Sequence, residues 1–178
     1  SCARRVTSNV RSTKTLEEEA TTAVRATTLL NKQLELPGIN VTGASFPAAD
    51  PGVMVVDVAL RRRRLHCPLC AYTTRARCDR RAVWSWWRHL DFGRLRVEVR
   101  AGLRRLTCPD HGVVVEGVPF ARHRAGFTRD FEDVAAFLAT KTDKTTIARF
   151  LRVDWDTVGR ICERVVGDEL DAERLDGL

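Results

Sequence analysis

Two short segments of this sequence have the residue types and the spacing of a metal site: Cys67-Pro68-Leu69-Cys70 and Cys108-Pro109-Asp110-His111. Each is a knuckle of the form C-P-x-[C/H]. Two residues between ligands let a tight turn aim both side chains at one ion, and proline presets the backbone for that turn. Three thiolates and one imidazole make a closed tetrahedral set, the form of a structural zinc site with no open position for catalysis. Soft sulfur donors select zinc over magnesium or calcium. The expected cofactor is therefore one structural zinc ion on Cys67, Cys70, Cys108 and His111. Cys78 or His89 could stand in for His111, although neither has a knuckle partner. Between Cys70 and Cys108 lie 37 residues, enough for a β-hairpin that leaves one knuckle and returns to the other. A small arginine-rich ribbon buries little apolar area, so the ion is expected to supply folding free energy directly.

A second pattern, over residues 144–163, is that of a helix-turn-helix. Ile147, Ala148 and Leu151 give the inner face of one short helix, with Val153 in the turn. Val158, Ile161, Cys162 and Val165 give the inner face of the next, which removes Cys162 from any ligand or nucleophile role. Asp154 reads as the N-cap, and Val153 and Val158 stand at staple positions. Arg152 occupies a position where glycine is usual. In such motifs the second helix enters the major groove with its N-terminal residues nearest the bases. Arg160 is the candidate for base contact, because a guanidinium binds guanine in bidentate fashion. Thr157 could take a base or a phosphate; Arg164, Lys141, Lys144 and Arg149 are phosphate candidates.

Charge agrees with a polyanionic partner. The chain carries a formal +7. Residues 61–105 hold fourteen arginines and no lysine against Asp79, Asp91 and Glu98, which makes this stretch +11 and leaves the remainder net acidic. A basic block inside a near-neutral chain is the footprint of phosphate contact. Arg61, Arg63, Arg88 and Arg104 are its candidates for gripping the backbone of double-stranded DNA.

The elements that must position these groups read as α+β: an N-terminal helix, a zinc-ribbon-like antiparallel β-hairpin domain and a C-terminal three-helix helix-turn-helix domain. Thr15 to Leu34 is predicted to be helical, opened by the capping-box pattern Thr15–Glu18 and closed before Leu36-Pro37-Gly38. Val53–Leu60 is β-rich, and Ile39–Val41 is a short apolar patch. Trp84–Leu90 and Leu95–Leu106 flank the turn signal Asp91-Phe92-Gly93, with Leu95, Val97 and Val99 alternating against charged residues. From Phe127 the period becomes helical, with two further short helices after the first. The expected divisions are 1–35 for tail and helix, 36–122 for the zinc-binding ribbon, 123–167 for the helix-turn-helix, and 168–178 for the start of a linker.

No apolar run approaches the roughly 20 residues that span a bilayer, and residues 1–14 lack the apolar segment of a secretory signal. The expectation is a cytoplasmic, bacterial protein with no membrane partner, in which paired cysteines point to metal before disulfide.

Leu36-Pro37-Gly38, the arginine run into Cys67-Pro68-Leu69-Cys70, Arg88-His89-Leu90-Asp91, Leu103–Pro109, Phe127–Glu132 and Val153–Val158 together resemble the N-terminal region of transposases of the ISL3 insertion-sequence type. The resemblance covers roughly residues 28–178. It implies a zinc-binding segment followed by a helix-turn-helix, and after them an RNase-H-like Asp-Asp-Glu domain. It also puts Cys67, Cys70, Cys108 and His111 at the ligand positions, His111 where the family often has cysteine. The expected function is binding to terminal inverted repeats without a catalytic domain in this chain, hence no enzyme activity, with a homodimer or a full-length transposase as possible protein partners. A free-standing zinc-ribbon and helix-turn-helix regulator of transcription, and a truncated transposase acting as repressor, are the alternatives; a zinc-ribbon RNA-binding protein is a third, in which the helix-turn-helix has no obvious use.

Overall fold

The computed structural model describes residues 25–176, with side chains as far as Glu169. The expected start of the first helix, with its capping box at Thr15–Glu18, lies outside the described residues. Its end does not: α1 spans Ala26–Leu34 and stops before Pro37. Gly38 turns the chain at φ 69°, where a Cβ would meet Pro119 Cγ at 3.0 Å, so the position has room only for glycine.

Nine strands follow. β1 is Ile39–Ser45, β2 Val53–Leu60, β3 Leu65–His66, β4 Thr73–Thr74 and β5 Asp79–Arg80. β6 is Ser85–Phe92, β7 Leu95–Ala101, β8 Arg104–Cys108 and β9 Gly112–Val115. Three helices complete the chain: α2 Arg129–Ala139, α3 Lys144–Leu151 and α4 Trp155–Asp176.

The largest sheet has the order β1-β2-β7-β6, and its central pair, β2 with β7, is parallel. Cross-strand partners Met54–Val97, Val56–Val99 and Val58–Ala101 share one face. Trp87 lies opposite Val99 on the same face. That face packs on Leu30 and Leu34 of α1 and on Leu36, Leu103, Phe120 and Ala121. Trp87 and Phe120 meet edge to face, with centroids 5.0 Å apart.

Three sequence expectations are corrected here. The apolar patch at Ile39–Val41 is the start of a seven-residue strand. The run Leu95–Leu106 breaks at Gly102-Leu103 into β7 and β8, which join different sheets. The hairpin between the knuckles is therefore no free-standing antiparallel ribbon: β6 and β7 are half of the main sheet and supply Trp87, Val97, Val99 and Ala101 to its core. The ion is accordingly not needed to explain how this hairpin is buried.

The knuckles sit on two small sheets, β3-β4 and β5-β8-β9, around a satellite core of Leu65, Cys67, Leu106 and Cys108. The helical part has its own core of Phe131, Ala135, Ile147, Leu151, Val158, Ile161 and Val165, against which Leu90 of β6 and Phe127 also pack. Thr128 caps α2 by accepting from the Phe131 N–H, and Asp143 caps α3 by accepting from that of Thr146 at 3.0 Å. The last helix is longer than expected: α4 has 22 residues and runs through the segment assigned to a linker. Asp168 in that extension accepts from Arg122 Nε at 2.7 Å.

Candidate metal centre and nucleic-acid interface

The first knuckle follows β3 and is closed by the Cys67 N–H donating to the Tyr72 carbonyl at 2.9 Å. The second is the β8–β9 turn, where Cys108 pairs with Gly112 in the left-handed region at φ 67°. The Gly117 N–H donates to the His66 carbonyl at 2.9 Å and so joins the two pieces of chain. This brings the Sγ atoms of Cys67, Cys70 and Cys108 and a ring nitrogen of His111 within 4.8 Å of one another. Cys70 Sγ is 3.6 Å from Cys108 Sγ, and His111 Nδ1 is 3.5 Å from Cys108 Sγ and 3.7 Å from Cys67 Sγ.

A tetrahedral ion with zinc–sulfur bonds of about 2.3 Å and a zinc–nitrogen bond of about 2.0 Å requires edges of roughly 3.5–3.8 Å. The observed separations fit, so the four residues can hold a metal ion. Electrostatics already differentiate the thiols. Burial opposes ionisation of Cys108, but hydrogen bonds from His111 and from the backbone of Asp110 and His111 overcome it and hold the thiol at about 7. At Cys70 a backbone hydrogen bond from Tyr72 favours the thiolate; burial and the neighbouring Cys108 and Cys67 outweigh it and push the thiol up to about 11. Two neighbouring thiols at such different values share their protons unevenly, and a bound cation would let both ionise.

The two alternative ligands lie elsewhere. Cys78 is exposed, with its sulfur 2.9 Å from Thr107 Oγ1. His89 is buried in β6, with Nδ1 2.8 Å from Thr128 Oγ1 at the start of α2.

The candidate DNA contacts divide into two groups. Thr157 and Arg160 are one turn apart on α4, with Arg160 Nη2 donating to Thr157 Oγ1 at 3.1 Å, and Arg160 is exposed. Lys144, at the start of α3, is exposed with its ammonium 4.6 Å from the centroid of the Trp155 ring. Arg149, Arg61 and Arg63 are also exposed, and Arg61 Nε donates to Asn40 Oδ1 at 2.7 Å.

Three other guanidiniums are half-buried and engaged by carboxylates of the protein. Arg88 pairs with Asp91 and lies over the Phe131 ring, 5.7 Å from its centroid. Arg104 donates to both carboxylate oxygens of the buried Glu116, at 2.8 and 2.6 Å. Arg164 donates to Glu132, which is fully buried, at 2.8 Å.

Residues that carry no motif signal form the joints. Arg122, also buried, donates to Glu132 at 3.2 Å, to Asp133 at 2.7 Å and to Asp168 at 2.7 Å, tying the segment before α2 to both α2 and α4. Arg152 adopts the left-handed conformation in the α3–α4 turn at φ 55° and reaches Asp91 on the hairpin. Glycine is replaced there by a residue that accepts local strain and makes a long-range ion pair.

Comparison with known proteins bears on the helical part of the chain. Residues 116–166 match the helix-turn-helix domain of transposase family ISL3. The chain is 42% identical over 99 residues to the transposase for insertion sequence element IS1557 of Mycobacterium tuberculosis, in both strain CDC 1551 and strain H37Rv. The aligned part is 52% of this chain and 22% of each relative. No solved structure matches. Among the described residues no helix is long and apolar enough to cross a membrane.

Proposed function

We propose that this chain, an ISL3-type transposase region, binds the terminal inverted repeats of an insertion sequence and holds them for strand transfer. The observation that carries the reading is the match of residues 116–166 to the family's helix-turn-helix, supported by exposed Lys144, Arg149 and Arg160 on α3 and α4. In the proposed complex Arg160 and Thr157 read bases, while Lys144, Lys141 and Arg149 contact phosphates. Arg61 and Arg63 grip the backbone further along the duplex. Arg88, Arg104 and Arg164 serve the protein's own packing in this reading, because each already satisfies a carboxylate.

The ion is proposed to be zinc, one per chain and structural, on Cys67, Cys70, Cys108 and His111. The chemistry of the donor set supports this: three sulfurs and an imidazole, with three of their separations at a tetrahedral edge, suffice for a four-coordinate sphere. Residues 36–122 would form the metal-bearing part and 123–167 the helical reader, in the bacterial cytoplasm where the DNA is. The role assigned here is binding.

The test is selection of bound fragments from random and genomic DNA. Recovery of element ends supports the reading; recovery of promoters would favour a free-standing regulator, and no enrichment would overturn both. On the selected site Arg160→Ala is expected to lose about 1–3 kcal/mol of discrimination between correct and mismatched bases. Equal loss on random DNA would reduce Arg160 to a phosphate contact.

A further inference from the structure

β6 alternates inward and outward, so Trp87 enters the core while Trp86 faces solvent. Trp84, just before the strand, is exposed as well. Burial therefore accounts for one tryptophan of this cluster and leaves two outside. Both outer rings are held by a single guanidinium. Arg100 of β7, directly opposite Trp86, lies 5.1 Å from the Trp84 centroid and 5.4 Å from that of Trp86. Arg100 is itself fixed by ion pairing to Asp57 of β2, with Nη2 3.2 Å from Oδ2. Gly102 passes under the Trp84 ring, where an added Cβ would stand 3.8 Å from it. Two rings are thus oriented before any partner arrives.

The rings border a cavity of about 620 Å³ between the main sheet and the metal-bearing layer, within the size range of ordinary small-ligand sites. Arg81 and Arg124 line it, as do Glu116 and Arg122. Glu116 is neutralised by Arg104, and Arg122 by Glu132, Asp133 and Asp168. The lining therefore keeps two cations, Arg81 and Arg124, and no unpaired carboxylate.

We propose that this cavity takes unpaired nucleotides of single-stranded DNA, with bases stacked on Trp84 and Trp86 and phosphates met by Arg81 and Arg124. Flat rings flanked by arginines are the combination by which proteins hold single strands, since every base offers a π-face and every linkage a negative charge. A duplex keeps its bases stacked inside and cannot use these rings, so the site is functionally separate from α4. The inference rests on the reading of the chain as DNA-binding and adds a second kind of DNA ligand to it.

The test uses the 178-residue chain purified without chelator, with a twelve-nucleotide oligo(dT), the matching ribo-oligonucleotide, and the selected duplex, at one fixed salt concentration. The expected result is oligo(dT) binding that quenches tryptophan fluorescence. Trp84→Ala with Trp86→Ala should weaken it about tenfold or more, while duplex affinity changes less than twofold. Trp84→Phe with Trp86→Phe should retain most of the binding, and its circular dichroism and metal content control for folding. Duplex binding with no oligo(dT) binding, or equal losses on both DNAs in the alanine variant, would overturn the proposal and leave the helix-turn-helix reading intact. Preference for the ribo-oligonucleotide would overturn DNA as the occupant. Failure to bind any duplex would count against the parent reading instead.

Discussion

Arg152 and Asp91 are ion-paired across 61 residues of sequence, with Nε of the first donating to Oδ2 of the second at 3.0 Å. Arg88 holds the other oxygen of the same carboxylate while its guanidinium lies over Phe131 of α2. One acid on the main-sheet hairpin thus fixes both the turn between α3 and α4 and the helix α2 beside them. Half-exposed ion pairs add about 1 kcal/mol or less to stability, so the contribution here is orientation. Arg152→Gly removes the pair but also relieves the left-handed strain. It should leave the unfolding free energy within about 1 kcal/mol of the parent and still weaken binding to a DNA site long enough to touch both α4 and Arg61–Arg63. Titration of short and long duplexes checks this; equal effects on both lengths would show that the turn does not couple them.

Metal removal should act locally. The main core of Val56, Val97, Val99 and their neighbours contains no ligand, whereas Leu65 and Leu106 pack directly on the cysteines. Mass spectrometry is expected to find one zinc per chain. Chelation, or Cys67→Ser with Cys108→Ser, should speed amide exchange in residues 65–80 and 104–117 while β2, β7 and α2–α4 stay protected. Unchanged metal content in the double variant would refute the ligand assignment.

Glu132 is fully buried and receives both Arg122 and Arg164. Its replacement by alanine empties a buried site and takes one carboxylate from Arg122, which keeps Asp133 and Asp168. Losing charge-assisted hydrogen bonds of this kind costs about 1.5–3 kcal/mol. Denaturant unfolding should register that loss, and Asp133→Ala, at an exposed partner of the same arginine, should cost much less.

His89 gives a pH dependence. Burial, only partly opposed by Asp130, holds its imidazole below the ordinary 6.5. A histidine lowered in the folded state is protonated more readily in the unfolded chain. Its contribution is therefore fully present above about pH 6.5 and is lost as pH falls below that toward the folded value. Unfolding free energy should decline on acidification more steeply in the parent than in His89→Asn; parallel slopes would assign the pH dependence to other groups.

The parts of this molecule that were legible in its sequence are those written in short-range pattern. Two C-P-x-[C/H] knuckles announced a four-ligand cluster, because ligand spacing is a local property. Ile147, Leu151, Val158 and Ile161 announced the inner faces of two helices, and Pro37 and Gly38 the end of α1. What stayed hidden depended on partners far away in the chain. Nothing local distinguishes a strand that will lie parallel to β2 from one that folds back as a ribbon, so β7 and β8 read as one element. Arg104 and Arg164 read as free cations because their carboxylates stand 12 and 32 residues away; Arg88 is the exception, its partner Asp91 being only three residues on. The length of α4 was missed because its apolar pattern stops near Val166, and the charged residues beyond it extend the helix on propensity. Trp84 and Trp86 do carry a local signal: two large rings on the polar face of an alternating segment.

The parallel seam between β2 and β7 shortens the path between the two knuckles. Cys67 and Cys108 are 41 residues apart in sequence, but Val58 lies beside Ala101, nine residues before the first and seven before the second. Confining a shorter stretch of chain costs less entropy. The sheet thereby makes the meeting of the four candidate ligands less costly, although none of them belongs to its core.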